Sequence, residues 1–404
     1  MTRRRTFLKQ LGAGATLALS RAREVIASPK FTANPFSLGI ASGDPTDRSV
    51  ILWTRLAPEP LKSGGGMPAL AVPVKWQVAS DRRFRRIVQE GTAMATPDLA
   101  HSVHVDVQSL NPKTEYWYRF SAGNAESKIG RTLTLPSPTQ SVSKARFTTC
   151  SCQHFEQGYF SAYSHMIEDD PDFVVHLGDY IYDVSFGASF RNHVDNSPLL
   201  SVEDFRRRHA LYKSDEFLQS AHRNLPFFAV LDNHDALPDG DLRQVAVRAA
   251  AYQAWYEHMP IRGWYRPGSA ALATYQSLDL GTLLRLNILD TRQFRSNANI
   301  GEGDPKFGFG IYRPDVPARH ERDRTMLGAE QMNWLDNRLS QSRATWNVVA
   351  STVPVGEFEI KRQGDARPHY YYSSWDGYTT NREALFQLLN KAENAVVLSG
   401  DIHS

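Results

Sequence analysis

The chain is poor in cysteine. Of its 404 residues only Cys150 and Cys152 carry a thiol, which excludes the dense disulfide framework of many exported domains. A Cys-x-Cys bridge would close a very short, strained loop, so this pair needs another explanation. Long apolar runs are also missing. The stretch LGAGATLALS (11–20) is too short to cross a bilayer. No internal repeat or low-complexity tract is present, which removes repeat architectures. A strong charge of one sign is lacking as well. The formal net charge is +3, but residues 1–27 hold six basic residues and one acid, a net +5, which leaves residues 28–404 near −2. That balance argues against a nucleic-acid or membrane-surface protein. With 41% apolar and 11% aromatic residues, the composition is that of an ordinary globular chain, long enough for two or three domains.

The basic N-terminus reads as an address. RRTFLK (4–9), the weak apolar stretch and the small residues of VIA (25–27) resemble a twin-arginine export signal, spanning residues 1–27. That route carries proteins already folded, and it suits a cofactor inserted before export. The resemblance implies a periplasmic or secreted protein, a partnership with the twin-arginine export machinery, and no transmembrane segment.

Residues 36–135 read as strands separated by turns: VILWTRLA (50–57), VPVKWQVAS (72–80), SVHVDVQSL (102–110) and TEYWYRFSAG (114–123), with period-two alternation in HVDVQ and YWYRF. LNPKTEYWYRF (110–120) resembles the stretch before a late strand of fibronectin type III domains, where a tyrosine bonds back to the chain at a corner. This predicts an all-β sandwich domain over 36–135. LPSPTQSVSK (135–144) supplies the linker, over 136–144. The rhythm then changes. ARFTTCSC (145–152) is a strand, GYFSAYSHMIEDD (158–170) has helical spacing, and FVVHL (173–177) is a fully apolar strand. FFAVLD (227–232), TLLRLNILD (282–290), WNVVAST (346–352) and NAVVLSGD (394–401) continue the style. Strand–helix–strand with apolar strands predicts an α/β domain with a parallel, doubly covered sheet.

Chemistry gathers at the ends of these strands. Cys152 follows the first, Asp179 and Tyr182 the second, Asn233 and His234 the third, Asp290 and Arg292 the fourth, Asp401 and His403 the last. Ligands in open α/β sheets collect outside the carboxyl ends of strands. A thiolate, phenolate and carboxylates suit a trivalent, Lewis-acidic ion, while carboxylate, amide oxygen and imidazole suit a divalent neighbour. His176 reads as a satisfied core histidine and Cys150 as a small buried hydrophobe. GEGDPKFGFG (301–310) lacks the flanking strand and helix of a phosphate loop and reads as a surface loop. RRFRR (82–86) reads as a solvated turn. Trp375 and Tyr378 either floor the site or simply pack.

GDYIY (178–182), LDNHD (231–235) and GDIH (400–403) resemble the metallophosphoesterase motif series shared with purple acid phosphatases. SCQHFEQGYFSAY (151–163), RRHALYKSD (207–215), ILDTRQFRS (288–296), EQMNWL (330–335) and WDGYTTNR (375–382) bring the resemblance closer to the alkaline phosphatase D family, over nearly the whole chain. It implies a β-sandwich followed by a metallophosphoesterase domain over 145–404, built from two packed mixed sheets flanked by helices. It further implies Fe(III) on Cys152, Asp179, Tyr182 and His403. Asp179 would bridge to a second, divalent ion, Ca2+ first, which Asn233 and Asp401 complete. His234 would act as acid or hydrogen-bond donor and Arg292 would help hold the phosphate. The implied reaction is hydrolysis of phosphomonoesters or phosphodiesters by a metal-activated hydroxide, with no serine nucleophile.

Two departures stand out. Asn233 and Asp235 occupy places where the family often writes aspartate and glutamate. The sequence also stops one residue after His403, which raises the expectation of a truncated C-terminus. The rival readings are an inactive truncated fragment of such an enzyme, and an extracellular binding module with a degenerate phosphoesterase domain. The near-complete ligand set argues against the second.

Overall fold

The computed structural model describes residues 29–401, apart from 188–189, 194–196, 237–244, 264–267, 270–271, 273, 299, 301–311, 362–363 and 365. Residues 1–27, expected to be an export leader, residues 301–310, expected to be a surface loop, and His403 therefore lie outside the described residues. Among the described residues no helix is long and apolar enough to cross a membrane.

The alternation read in the first region becomes a sandwich. In Glu115–Ala122 every second residue turns inward, and Tyr116, Tyr118 and Phe120 meet Val72, Val74 and Val78 of Val72–Ala79 and Val50, Leu52, Val103 and Val105 from the facing strands. The Tyr116 hydroxyl accepts a bond from the Asn111 amide at 2.9 Å, the corner tyrosine expected there. Arg82–Arg86 form an exposed turn whose Arg83, Arg85 and Arg86 amides bond to the Asp81 carboxylate.

The sandwich does not close on itself. Ile40–Gly43, Val50–Arg55 and Ser102–Val107 form one side of it, yet they also continue into a six-stranded sheet with Pro226–Ala229, Phe173–His176 and Phe147–Cys150. The joint is a parallel pairing of Ser42 with Pro226 and Gly43 with Phe227. Gly43 permits it, because a Cβ there would lie 2.2 Å from the Pro260 carbonyl oxygen and 2.6 Å from that of Phe227. Covered on both faces, Val50–Arg55 is buried throughout and loses any alternation.

A second sheet runs Gln276–Leu280, Leu284–Ile288, Trp346–Ser351, Ala395–Ser399, with the last three parallel. Phe173, Val175 and Phe228 from the first sheet pack face to face on Leu278, Leu284, Leu286, Ile288 and Val348 of the second. Each such side chain contributes about 1.5–3 kcal/mol on burial. Helices Val202–Lys213, Glu216–Asn224 and Val245–His258 cover the outer face of the first sheet. Gly328–Ser340 and Thr379–Leu389 cover that of the second. Trp375 and Tyr378 belong to this last core: Trp375 bonds to the Ser351 hydroxyl and Tyr378 to the Ser296 carbonyl, so they pack and do not floor the site. The parallel strands of both sheets point their carboxyl ends to one edge.

Beneath that edge sits an unusual store of buried bases. His176 is fully buried, but neither ring nitrogen has a hydrogen-bond partner, so the expectation of a satisfied core histidine is corrected. Its ring packs beside that of Tyr180, with centroids 5.1 Å apart. His209, His222 and His258 are buried around it, and the Lys213 ammonium lies over the faces of Trp53 and Tyr180 at 4.5 and 5.2 Å. Arg55 bonds to His258 at 2.7 Å. Burial disfavours each charge, pushing Lys213 down to about 7 and His176 to about 3, with His209, His222 and His258 also held low. The unfolded chain then takes up a proton on Lys213, between pH 7 and 10, that the folded chain refuses, so stability rises with pH across that window. Lys213→Met should flatten this slope by up to about 1.4 kcal/mol per pH unit. Denaturant unfolding of metal-loaded protein at pH 7, 8 and 9 measures it; equal slopes in parent and variant would refute the assignment.

Candidate metal centre

Three loops carry the expected ligands, and each turns sharply just after its strand. Cys152, Asp179 and Asp401 all adopt left-handed backbone, with φ of 56°, 52° and 54°. That conformation costs a non-glycine residue about 1–2 kcal/mol, and such strain persists where the surroundings over-determine it. Here the backbone bonds from Cys152 to Gly178 at 3.1 Å and from Gln153 to Asp179 at 3.2 Å zip the first two loops together. Gly178 (φ 92°) is required: a Cβ would stand 2.3 Å from that of Asp232.

The turns bring side chains together. One ligand-capable atom from each of Cys152, Asp179 and Asp401 lies within 4.8 Å of the others. Asp179 is fully buried; one carboxylate oxygen accepts the His234 amide at 3.1 Å and the other, Oδ2, has no partner. Tyr182, 1% exposed, presents its phenol to the Cys152 thiol. Asn233 Oδ1 accepts from Arg292 at 2.9 Å. His234 stacks on Tyr182 with ring centroids 4.3 Å apart, and its Nδ1 meets Asp183 at 2.6 Å. Arg292 is not paired with Asp290 through its guanidinium. It bonds to Asp232, the Ser373 hydroxyl and carbonyl, Asn233 and Asp401. Of the expected site residues, only His403 is outside the described structure.

The electrostatics favour a bound cation. Burial raises the Asp179 carboxyl well above its usual range, and Asp232, Asp401 and Asp235 push it further while Arg292 pulls back. Burial likewise pushes up the Cys152 thiol and the Tyr182 phenol, each helped by Asp179. Buried anions with unmet lone pairs favour a bound cation. Thiol, phenol and carboxylate donors fit a hard or borderline metal ion.

Three contributors escaped the sequence reading. Asp232 is buried and carries an unpartnered Oδ2. Asp183 orients His234. Asp235 accepts from the amides of Tyr180 at 2.8 Å, Ile181 at 3.1 Å and Asp232 at 3.0 Å, stitching two ligand loops into one piece. Burial holds it up to about 7. Asp232 and Asp235 lie inside the quoted motif LDNHD and Asp183 directly follows GDYIY, so the signal was present but undivided.

A second cluster, His154, Glu156 and His193, also has ligand-capable atoms within 4.8 Å. Its protons argue against a metal. The Tyr212 hydroxyl accepts the Phe155 and Tyr182 amides, so it donates to His193 Nε2 at 3.1 Å. His154 Nδ1 accepts the Glu156 amide at 3.3 Å. Each imidazole therefore turns an N–H, not a lone pair, toward the Glu156 carboxylate, at 3.9 and 3.7 Å. Glu156 also takes the Ser185 hydroxyl. The cluster is a clamp on the loop after Tyr182.

Asp235→Ala should strand three buried amides at about 1–3 kcal/mol each. Urea unfolding should show a loss of roughly 3 kcal/mol or more; a loss below about 1 kcal/mol would mean water replaces the carboxylate without cost.

Comparison with known proteins agrees with this geometry. The family model for PhoD-like phosphatase matches residues 147–404, and that for the PhoD-like phosphatase N-terminal domain matches residues 20–136. Alkaline phosphatase D of Bacillus subtilis (strain 168) is 42% identical over 426 residues, covering 99% of this chain and 71% of the relative. A solved structure of PhoD superposes with a TM-score of 0.85 at 42% identity, covering 93% of this chain and 73% of that one. A purple acid phosphatase from yellow lupin seeds, at 13% identity and a TM-score of 0.55, covers 90% of this chain and 58% of its own and shares the fold. The all-β domain followed by packed mixed sheets is the expected architecture. Identity of this extent, with both family models matched in order, means that the chain belongs to the PhoD-like phosphatase family and is a phosphoric ester hydrolase.

Proposed function

We propose that the protein is an exported, metal-dependent phosphoesterase acting on phosphomonoesters, phosphodiesters or both, organised as a leader over 1–27, a β-sandwich over 36–135, a linker over 136–144 and a catalytic region from 145 onward. The observation that carries this reading is the convergence of Cys152, Asp179 and Asp401 around an unpartnered, fully buried carboxylate oxygen. Cys152, Asp179, Tyr182 and His403 hold Fe(III). Asp179, Asn233 and Asp401 hold a divalent ion, Ca2+ first. Such a pair, when bound, acidifies water for in-line attack and draws charge from the phosphoryl oxygens.

The protein's own groups do the rest. The Asp183 carboxylate accepts from His234 Nδ1, which fixes the ring, and in the imidazolium form Nε2 holds the proton that passes to the leaving oxygen. Tyr182 supports that ring from one side. Arg292 holds Asn233 and Asp401 at once, so it sets the angle at which both present their oxygens. Tyr371 adds a bond to Asp401 at 2.8 Å.

Asp179→Asn should abolish hydrolysis of 4-nitrophenyl phosphate and bis(4-nitrophenyl) phosphate while circular dichroism stays unchanged. Retained turnover in that variant would refute the reading. About one iron per chain should be found by elemental analysis, and Tyr182→Phe should remove the visible phenolate-to-iron absorption. Export is tested separately: replacing Arg4 and Arg5 together by lysine should leave the protein in the cytoplasm, and normal export of that variant would exclude the twin-arginine route.

A further inference from the structure

The first two ligand loops are joined by more than backbone. Gln153 follows Cys152 directly and is buried. Its side-chain Nε2 donates to the Tyr180 carbonyl at 2.8 Å, inside the loop that carries Asp179 and Tyr182. Its Oε1 accepts the Tyr163 hydroxyl at 2.6 Å, and Tyr163 is buried on the short helix Ala162–Glu168. The far end of the tie is firm as well. Tyr180 places its own amide on Asp235 at 2.8 Å, and its phenol meets His222 Nε2 at 2.8 Å.

The protons run one way along this chain. A carbonyl only accepts, so the Gln153 amide turns its NH2 to Tyr180 and its oxygen to Tyr163. The Tyr163 hydroxyl spends its one proton on Gln153. It therefore meets the Cys150 sulfur, 3.6 Å away, as an acceptor, and the Cys150 thiol donates. The order is Cys150 to Tyr163 to Gln153 to Tyr180, and bonds in such a chain polarise and strengthen one another. Half-buried Cys150 is thus a donor as well as an apolar filler.

Position 153 is selective. The backbone bonds from Cys152 to Gly178 and from Gln153 to Asp179 would form with almost any residue there. The side-chain tie would not. It needs a donor that reaches Tyr180 and an acceptor for Tyr163 on one long side chain. Glutamate lacks the donor, lysine and arginine lack the acceptor, and leucine lacks both. Outer groups of this kind orient the ligands they hold, and their loss costs about 10–100-fold in metal affinity or activity.

We propose that Gln153, backed by Tyr163, is a positioning residue for the iron side of the centre, setting how Cys152 and Tyr182, from two different strand ends, face one ion. The inference rests on the iron assignment above.

The test uses the iron-loaded full chain. Gln153→Leu should bind iron about 10–100-fold more weakly in competition with a chelator and shift the phenolate-to-iron absorption. Its kcat should fall with KM little changed, because no substrate contact is removed. Tyr163→Phe leaves the tie to Tyr180 but removes its backing, so both iron readouts should move the same way and by less. Tyr378→Phe removes a buried hydrogen bond to the Ser296 carbonyl, outside the ligand loops. It should lower stability comparably yet leave iron affinity and absorption as in the parent. Parent-like iron affinity and absorption in Gln153→Leu, or an equal change in Tyr378→Phe, would overturn the positioning role while leaving the phosphoesterase reading intact. If Gln153→Leu does not fold, Tyr163→Phe decides alone, and parent-like iron readouts in it would overturn the proposal. A parent chain that hydrolyses the 4-nitrophenyl esters but binds no iron would overturn this inference and the iron assignment only. One that hydrolyses neither ester would overturn the phosphoesterase reading as well.

Discussion

Everything in the catalytic region answers to one electrostatic problem: several buried acids at a single sheet edge. Asp179, Asp232, Asp235 and Asp401 are all buried, and the Cys152 thiol and Tyr182 phenol point into the same space. Like charges in a poorly solvated site raise one another's pKa and oppose ionisation. Each acid is handled differently. Asp235 spends both oxygens on backbone amides. Asp232 and Asp401 share the Arg292 guanidinium. Asp179 and Asp232 each keep an Oδ2 without a hydrogen-bond partner, and of the two it is Asp179 that gathers with Cys152 and Asp401. That carboxylate marks where a cation would sit.

The scaffold makes that arrangement stiff. Two mixed sheets pack face to face through Phe173, Phe228, Leu286 and Ile288, and their parallel strands end on a common rim. The N-terminal strands contribute to this rigidity directly, because Ile40–Gly43 pairs with Pro226–Ala229, the strand that leads into Asp232, Asn233 and His234. Trp53, from the next strand, donates to the Glu257 carbonyl at 3.0 Å. The β-sandwich is thus a buttress of the site's sheet as well as a module in its own right.

Much of this was legible in the sequence, and the remainder was not for definable reasons. Parallel strands buried on both faces read as apolar runs, so FVVHL and its fellows announced the rim and the residues just beyond it. Cys152, Asp179, Tyr182, Asn233 and Asp401 are found there because strand ends are local facts. The roles of Asp183, Asp232 and Asp235 depend on partners about 50 residues or more away, and spacing cannot encode such pairings. The shared sheet was hidden for the same reason, since Ser42 and Pro226 meet only in the fold. His176 shows the opposite limit: its position inside an apolar strand predicted burial correctly, but hydrogen-bond satisfaction is a property of neighbours.

The choice of Arg292 as the internal cation follows from its geometry. A guanidinium offers five donors in a rigid fork, which lets one side chain hold Asp232, Asn233 and Asp401 together. A lysine would supply the same charge from a single point and could not hold all three in register. One positive charge set against the Asp179, Asp232 and Asp401 carboxylates is also incomplete compensation. Full neutralisation by side chains would leave a stable but inert salt-bridge cluster, and none at all would leave carboxyls that stay protonated. A single, multiply bonded arginine keeps the ligand oxygens ordered while the site stays net negative. That is the electrostatic condition under which metal ions bind in preference to protons.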